Sequence, residues 1–154
     1  MGKNLIVIDF KREEAFVKAL KSLEVDALVA GDIFVEAHLL GLQSVCSEVG
    51  LKLLEPLYGK DTSELFNEIF NSGYKALITG VNLEFLGEEW LGFTISKETG
   101  TAFLSKIGDV DPLGENGEFH TLVLECPLYT KRFRVKSAER KIAKGMAYLN
   151  VSIA

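Results

Sequence analysis

Over its first eighty residues the chain switches between two hydrophobic periods. Residues 5–8 (Leu-Ile-Val-Ile) are a short unbroken apolar run, the pattern of a strand covered on both faces. Residues 11–23 then set Ala15, Phe16, Ala19, Leu20 and Leu23 on one helical face. A second apolar run, 27–30, precedes a helix predicted over 33–49, with a stripe of Val35, Leu39, Leu42, Cys46 and Val49. Asp32 is placed to cap that helix and Gly50 to end it. Residues 51–54 read as a third strand. Asp61-Thr-Ser-Glu64 opens a helix as an acidic variant of the capping box, Leu65, Phe66, Ile69 and Phe70 form its stripe, and Gly73 closes it. Residues 76–79 complete the series as a fourth strand. This alternation predicts an α/β fold with a doubly wound, mostly parallel sheet covered on both faces.

After Gly80 the rhythm changes. Residues 82–92 are irregular around Trp90, and 96–107 read as a helix that Gly100 weakens. Residues 109–117 hold three acids, two glycines and a proline, a loop. Strands are predicted over 121–125, 132–136 and 146–153, separated by Pro127 and by the turn-rich stretch 137–145. The division expected is an α/β part over 1–92 and a smaller β-rich part over 93–154.

Composition narrows the function classes. The 154 residues are 47% hydrophobic and 25% charged, enough for one ordinary core and unlike a disordered chain. A net charge of −5 disfavours nucleic acid, whose backbone asks for a basic face. Lys131, Arg132, Arg134 and Lys136 are the nearest approach to one, and a solvated strand face explains them. The longest apolar stretch, 27–46, is interrupted by Asp32, Glu36 and His38, which argues against a membrane span. Cys46 and Cys126 are too few for a disulfide scaffold and read as buried thiols of a cytoplasmic protein.

In open parallel sheets, ligands bind beyond the carboxyl ends of the strands, where helix N-termini point. The residues following each predicted strand are Asp9, Gly31-Asp32, Glu55-Pro-Leu-Tyr58 and Gly80-Val-Asn82. Plainer readings stand beside each: a helix cap for Asp32, a strand-end turn for Asp9, packing for Tyr58. The densest chemistry is Gly114-Glu-Asn-Gly-Glu-Phe-His-Thr121. Its glycines permit a sharp turn that turns N–H groups outward. A strand starting near Glu118 would put Glu118 and His120 on one face. Glu115, Glu118 and His120 could then hold a divalent cation, orient an amine or shuttle a proton. A solvated hairpin entry is the plainer alternative. No Ser-His-Asp order, metal-spaced Cys/His cluster or Walker-type phosphate loop occurs, so no metal ligands are assigned.

That octet, followed by Val123-Leu-Glu-Cys-Pro-Leu-Tyr129, resembles the signature of the diphthine–ammonia ligase family, an ATP pyrophosphatase branch of the adenine nucleotide α-hydrolase-like (HUP) fold. Ala30-Gly-Asp-Ile33, Glu36, His38, Val45-Cys46, Pro56-Leu57 and Trp90-Leu-Gly92 resemble its bacterial members. The resemblance implies an enzyme that adenylates a carboxylate with ATP and Mg²⁺ and then amidates it with ammonia. For eukaryotes and archaea the acceptor implied is diphthine on elongation factor 2; for bacterial look-alikes it is an open small-molecule or protein carboxylate. By position, Glu115, Glu118 and His120 would be catalytic. Gly114, Asn116, Gly117 and Thr121 would line the acceptor side, and Gly31, Asp32 and Tyr58 would face the nucleotide.

The family's Ser-Gly-Gly-x-Asp-Ser pyrophosphate loop has no counterpart in these residues, which contain no Gly-Gly pair. A triphosphate carries about four negative charges and is stabilised by an N–H nest, a helix N-terminus and a metal. The expectation is a truncated fold that does not hydrolyse ATP alone. It would be half of a split ligase, a non-catalytic descendant, or a metal-assisted hydrolase built on the acidic turn. Loss of β-α units would also uncover a sheet edge, to be covered in a homodimer or by a partner chain.

Overall fold

Strands pair in two different ways in the protein, whose computed structural model describes residues 4–8 and 13–154. They belong to two compact units, which meet in sequence at Lys60 and Asp61. Residues 61–92, grouped by sequence with the α/β part, pack with the second unit.

The first unit contains α1 (Glu13–Lys21), β1 (Ala27–Val29), α2 (Glu36–Val49) and β2 (Lys52–Leu54). β1 and β2 pair in parallel, with Leu28 opposite Leu53 and α2 as the crossover between them. Leu20, Ile33, Val45 and Cys46 are its buried residues. Gly50 ends α2 as expected, in the left-handed region at φ 75°, where its N–H reaches the Cys46 carbonyl. The start of α2 differs from expectation. The helix begins at Glu36, Val35 occupies the N-cap position, and among the described residues no side chain caps it. Asp32 is engaged elsewhere, as described below. Residues 5–8 form no strand, and Leu5, Ile6 and Val7 are exposed. An apolar run becomes a strand only where a ladder offers partners, and none is made to it among the described residues. Asp9 and the predicted start of α1 at residues 11–12 lie outside the described residues.

The second unit opens with α3 (Thr62–Asn71), and here the capping signal holds: the Asp61 carboxylate accepts the Glu64 N–H at 2.9 Å. β3 (Lys75–Asn82) follows as the central strand of a five-stranded sheet. β5 (Phe119–Glu125) runs along one side of it. On the other side lie β4 (Thr94–Ile95) and, further on, β7 (Met146–Ile153). β6 (Val135–Ala143) pairs with β7 at the outside. Every pairing in this sheet is antiparallel, so the run at 76–79 is a strand but not a fourth parallel one. A central strand buried on both faces carries the same unbroken apolar run whichever way its neighbours point, so its composition is blind to direction. The architecture is therefore mixed α/β, a parallel pair and an antiparallel sheet.

The core of this unit is aromatic. Phe66 and Phe70 of α3, Ile78 and Val81 of β3, Phe119 of β5 and Ala147 of β7 surround Phe103 of the short helix α4 (Gly100–Leu104). Phe103 stacks on Phe66 and meets Trp90 edge-on at a centroid distance of 5.2 Å. The helix predicted over 96–107 is reduced to these five residues. Its approach is a turn in which the Ser96 N–H donates to Thr99 Oγ1 and the Thr99 hydroxyl to the Thr94 carbonyl. Gly100 is there for packing, since a Cβ would lie 3.2 Å from the Phe66 ring.

β6 is longer than expected and occupies most of the stretch read as turns. All its residues are exposed, so no in–out alternation marks it in the sequence. The real turn is Lys144-Gly145, both at positive φ (52° and 77°), the backbone a two-residue hairpin requires. No helix among the described residues is long and apolar enough to cross a membrane.

Candidate functional site

The Gly114–Thr121 segment begins as a loop that is hydrogen-bonded almost entirely to itself. Asp111 starts it as an Asx turn: its Oδ1 accepts the Leu113 N–H at 2.8 Å and, more weakly, the Glu115 N–H at 3.4 Å. The Gly114 N–H donates to the Asp111 carbonyl, and the Gly117 N–H to the Gly114 carbonyl. Gly114 and Gly117 sit at φ 74° and 82°. Gly114 is also sterically required, since a Cβ would lie 2.8 Å from the Phe119 carbonyl oxygen.

Glu118 closes the loop from beneath and is 3% exposed. Its Oε1 accepts the Asp111 N–H at 3.2 Å and the Asn116 side-chain amide at 3.1 Å. Its Oε2 accepts the Asn116 N–H at 2.9 Å. A buried carboxylate costs several kcal/mol unless its lone pairs are satisfied, and three N–H groups satisfy this one. The geometry assigns Glu118 to holding the loop's shape. His120, predicted on the same face, is exposed where Glu118 is buried. A bulge at Thr79 shifts the β3–β5 register just there.

His120 belongs to a row across the sheet: opposite it is Gly80, then Tyr148 on β7, then Lys141 on β6. The neighbouring row of Phe119, Val81 and Ala147 is buried in the core, so the His120 row faces away from it. A Cβ on Gly80 would lie 3.3 Å from His120 Cδ2 and 3.5 Å from Tyr148 Cδ1. The two rings thus cover the glycine. Gly80 lies inside β3, not beyond its end as the sequence implied. Asn116 and Thr121 are exposed, and Glu115 is half-buried.

The other predicted residues are in the first unit. The Gly59 N–H donates to the Ile33 carbonyl at 2.7 Å, and the Ala30 N–H to that of Leu54. These bonds bring the turn containing Tyr58 to the loop of Gly31 and Asp32. Asp32 does not cap α2; its Oδ1 lies 2.8 Å from His38 Nδ1. Nearby, burial first and the Glu55 charge second push the Cys46 thiol above its ordinary pKa. Sequence reasoning missed Asp111 as an organiser of the loop, although Asp-Pro is a turn-initiating pair. Tyr148 carried no signal, because its role depends on register.

A family model, that of the diphthamide synthase C-terminal domain, matches residues 61–154. That is more than half of the chain and coincides with the second unit. The chain belongs to the diphthamide synthase family. Among curated relatives it is 32% identical over 117 residues to a diphthine–ammonia ligase of Schizosaccharomyces pombe, covering 75% of this chain and 19% of that protein. It is 30% identical over 133 residues to the Homo sapiens diphthine–ammonia ligase, covering 84% of this chain and 49% of that one. The chain thus spans at most about half the length of these relatives.

The family's ATP and Mg²⁺ can be tested against the loop. A phosphate cradle needs free N–H groups, whereas the amides of Leu113, Gly114, Glu115, Asn116 and Gly117 all donate within the loop. Among the described residues no group of three or more His, Cys, Asp or Glu is arranged to hold a metal. The octet therefore does not fit a triphosphate with its metal, and its exposed features are side chains.

Proposed function

We propose that the chain is the acceptor-side part of a diphthine–ammonia ligase-like enzyme, in which the carboxylate to be amidated rests against residues 114–121. The observation that carries this is the buried Glu118 network, which fixes the family octet in one shape and leaves Asn116, Thr121 and His120 exposed. In this reading Glu115 and His120 meet the acceptor and the incoming amine, Gly114 and Gly117 shape the turn, and Glu118 positions them. ATP activation of the carboxylate is assigned to residues other than these 154. Gly31, Asp32 and Tyr58 then border the nucleotide side of an adenine nucleotide α-hydrolase-like sheet, a reading supported by the parallel β1–α2–β2 crossover.

The test has two arms. Titration of the 154-residue protein with a diphthine-bearing peptide should shift the amide resonances of Asn116, Gly117 and Thr121. Calorimetric titration with Mg·ATP should give no binding heat. Loop resonances indifferent to the peptide would remove the acceptor assignment, and micromolar affinity for Mg·ATP would remove the division of labour.

A second reading, a non-catalytic binding descendant, is favoured by the self-satisfied loop amides. Pyrophosphate release on mixing with a polypeptide bearing the family's phosphate loop would decide against it. The third, metal-assisted hydrolysis at the acidic turn, is disfavoured by the burial of Glu118 and by the three N–H groups its carboxylate already accepts. A second copy or a partner chain at the β1–β2 edge is supported by Val29 and Leu54, 64% and 50% exposed on those strands. A 17 kDa monomer by light scattering would contradict it. The two free, buried cysteines agree with a cytoplasmic setting.

A further inference from the structure

The hairpin of β6 and β7 carries a charge opposite to that of the whole chain. Residues 131–144 hold seven of the seventeen basic residues and one acid, Glu139, in a protein of net charge −5. Every residue from 131 to 145 is exposed. Arg132 pairs with Glu125 at 3.0 Å and Lys141 with Glu139 at 3.5 Å. Among the described residues, Lys131, Arg134, Lys136, Arg140 and Lys144 have no ion-pair partner. β6 is also an open edge, pairing with β7 alone among the described strands. The two-residue turn at Lys144-Gly145 makes Ala143 and Met146 the hydrogen-bonded pair that closes the hairpin. Alternation along an antiparallel ladder then turns the N–H and C=O groups of Ser137, Glu139 and Lys141 to β7, and those of Ala138, Arg140 and Ile142 to the free edge. Such an edge is a template for one more strand. The same strand of a second copy would set basic residues against basic ones, which cross-strand pairing disfavours. A nucleic acid would meet the charge but has no alternating N–H and C=O groups to match the edge.

We propose that the free edge of β6 takes up an extended acidic segment of a protein partner as an added antiparallel strand. In that register apolar residues stand opposite Ala138 and Ile142, and carboxylates stand opposite Arg140 and Lys141. The surface uses none of residues 114–121, so its failure would leave their acceptor role untouched.

The probe is the capped peptide Val-Glu-Glu-Thr-Val-Thr, whose first residue lies opposite Ile142 and whose last lies opposite Ser137. Added to the ¹⁵N-labelled 154-residue protein, it should shift the Ala138, Arg140 and Ile142 amides and slow their hydrogen exchange. Methylating the peptide nitrogens of its third and fifth residues, which face β6, should weaken binding at least ~10-fold. Exchanging its glutamates for lysines should abolish binding. Ala138→Pro removes an N–H that points to the free edge, not to β7, and should abolish the shifts. Arg140→Glu should weaken the peptide ~5-fold or more, and serves should the proline variant not fold. The proposal is overturned if the methylated or lysine peptide binds equally well, or if both variants titrate like the parent. It is also overturned if a single-stranded RNA oligonucleotide displaces the peptide, or if the protein alone self-associates through these same amides.

Discussion

Residues 27–54 and residues 61–154 are written in the same alphabet of short apolar runs and amphipathic helices, and they use it differently. In the second unit the apolar run of β3 lies between strands on both sides, and Ile78 and Val81 are fully buried beside Phe103. In the first unit β1 and β2 pair with each other and with no further strand among the described residues, and Val29 and Leu54 face solvent. Two-stranded sheets are marginal by themselves, whereas a five-stranded sheet with a helix over it makes a core. Apolar content is thus common to both units; what separates them is how many neighbours each strand finds.

The difference can be pressed hardest at the core. Phe103→Ala should cost about 3–5 kcal/mol in denaturant unfolding, while Leu54→Ser, on the exposed strand, should stay within about 0.5 kcal/mol. Comparable losses at the two sites would mean that β2 is covered in solution. Next is the loop: Glu118→Gln turns a triple acceptor into a group that sets its own N–H against donors, at about 1.5–3 kcal/mol. Hydrogen exchange at the Asn116 amide should accelerate in that variant, and an unchanged rate would refute the network's role.

Helix starts give a smaller contrast. Asp61→Ala should lose about 1 kcal/mol, because that carboxylate caps α3. Asp32→Ala should leave helix stability nearly unchanged, because α2 has no side-chain cap. The smallest effect is electrostatic. The Ser96 hydroxyl, first, and the residue's own backbone N–H, second, hold the exposed Glu98 carboxyl below its ordinary pKa. A lowered folded-state pKa contributes stability above the unfolded value and loses it as pH falls through the folded one. The thermal-midpoint advantage of the parent over Glu98→Gln should therefore shrink below the ordinary Glu value of about 4.3, and an advantage growing with acid would contradict the sign.

Much of this was legible. The Asp61 cap, the glycine ends of α2 and α3, the β7 strand and the loop over 109–117 follow from local chemistry that operates within a few residues. The candidate octet was legible as a string but not as a mechanism. Glu118 and His120 look like neighbours two positions apart in a strand, but β5 starts at Phe119 and the preceding loop folds over Glu118, which buries one and leaves the other exposed. Most of β6 beyond the predicted 132–136 escaped because a strand exposed on both faces has no period to detect.

The sequence by itself determined where α3 starts, where α2 and α3 stop, and which family the octet resembles, because each depends on contacts between near neighbours in the chain. Tertiary structure alone decided that β3 is antiparallel, that Asp32 serves His38 instead of a helix, and that Glu118 is a buried brace. Those outcomes depend on which distant strand or side chain arrives alongside, and an apolar run or a carboxylate reads the same before its partner comes.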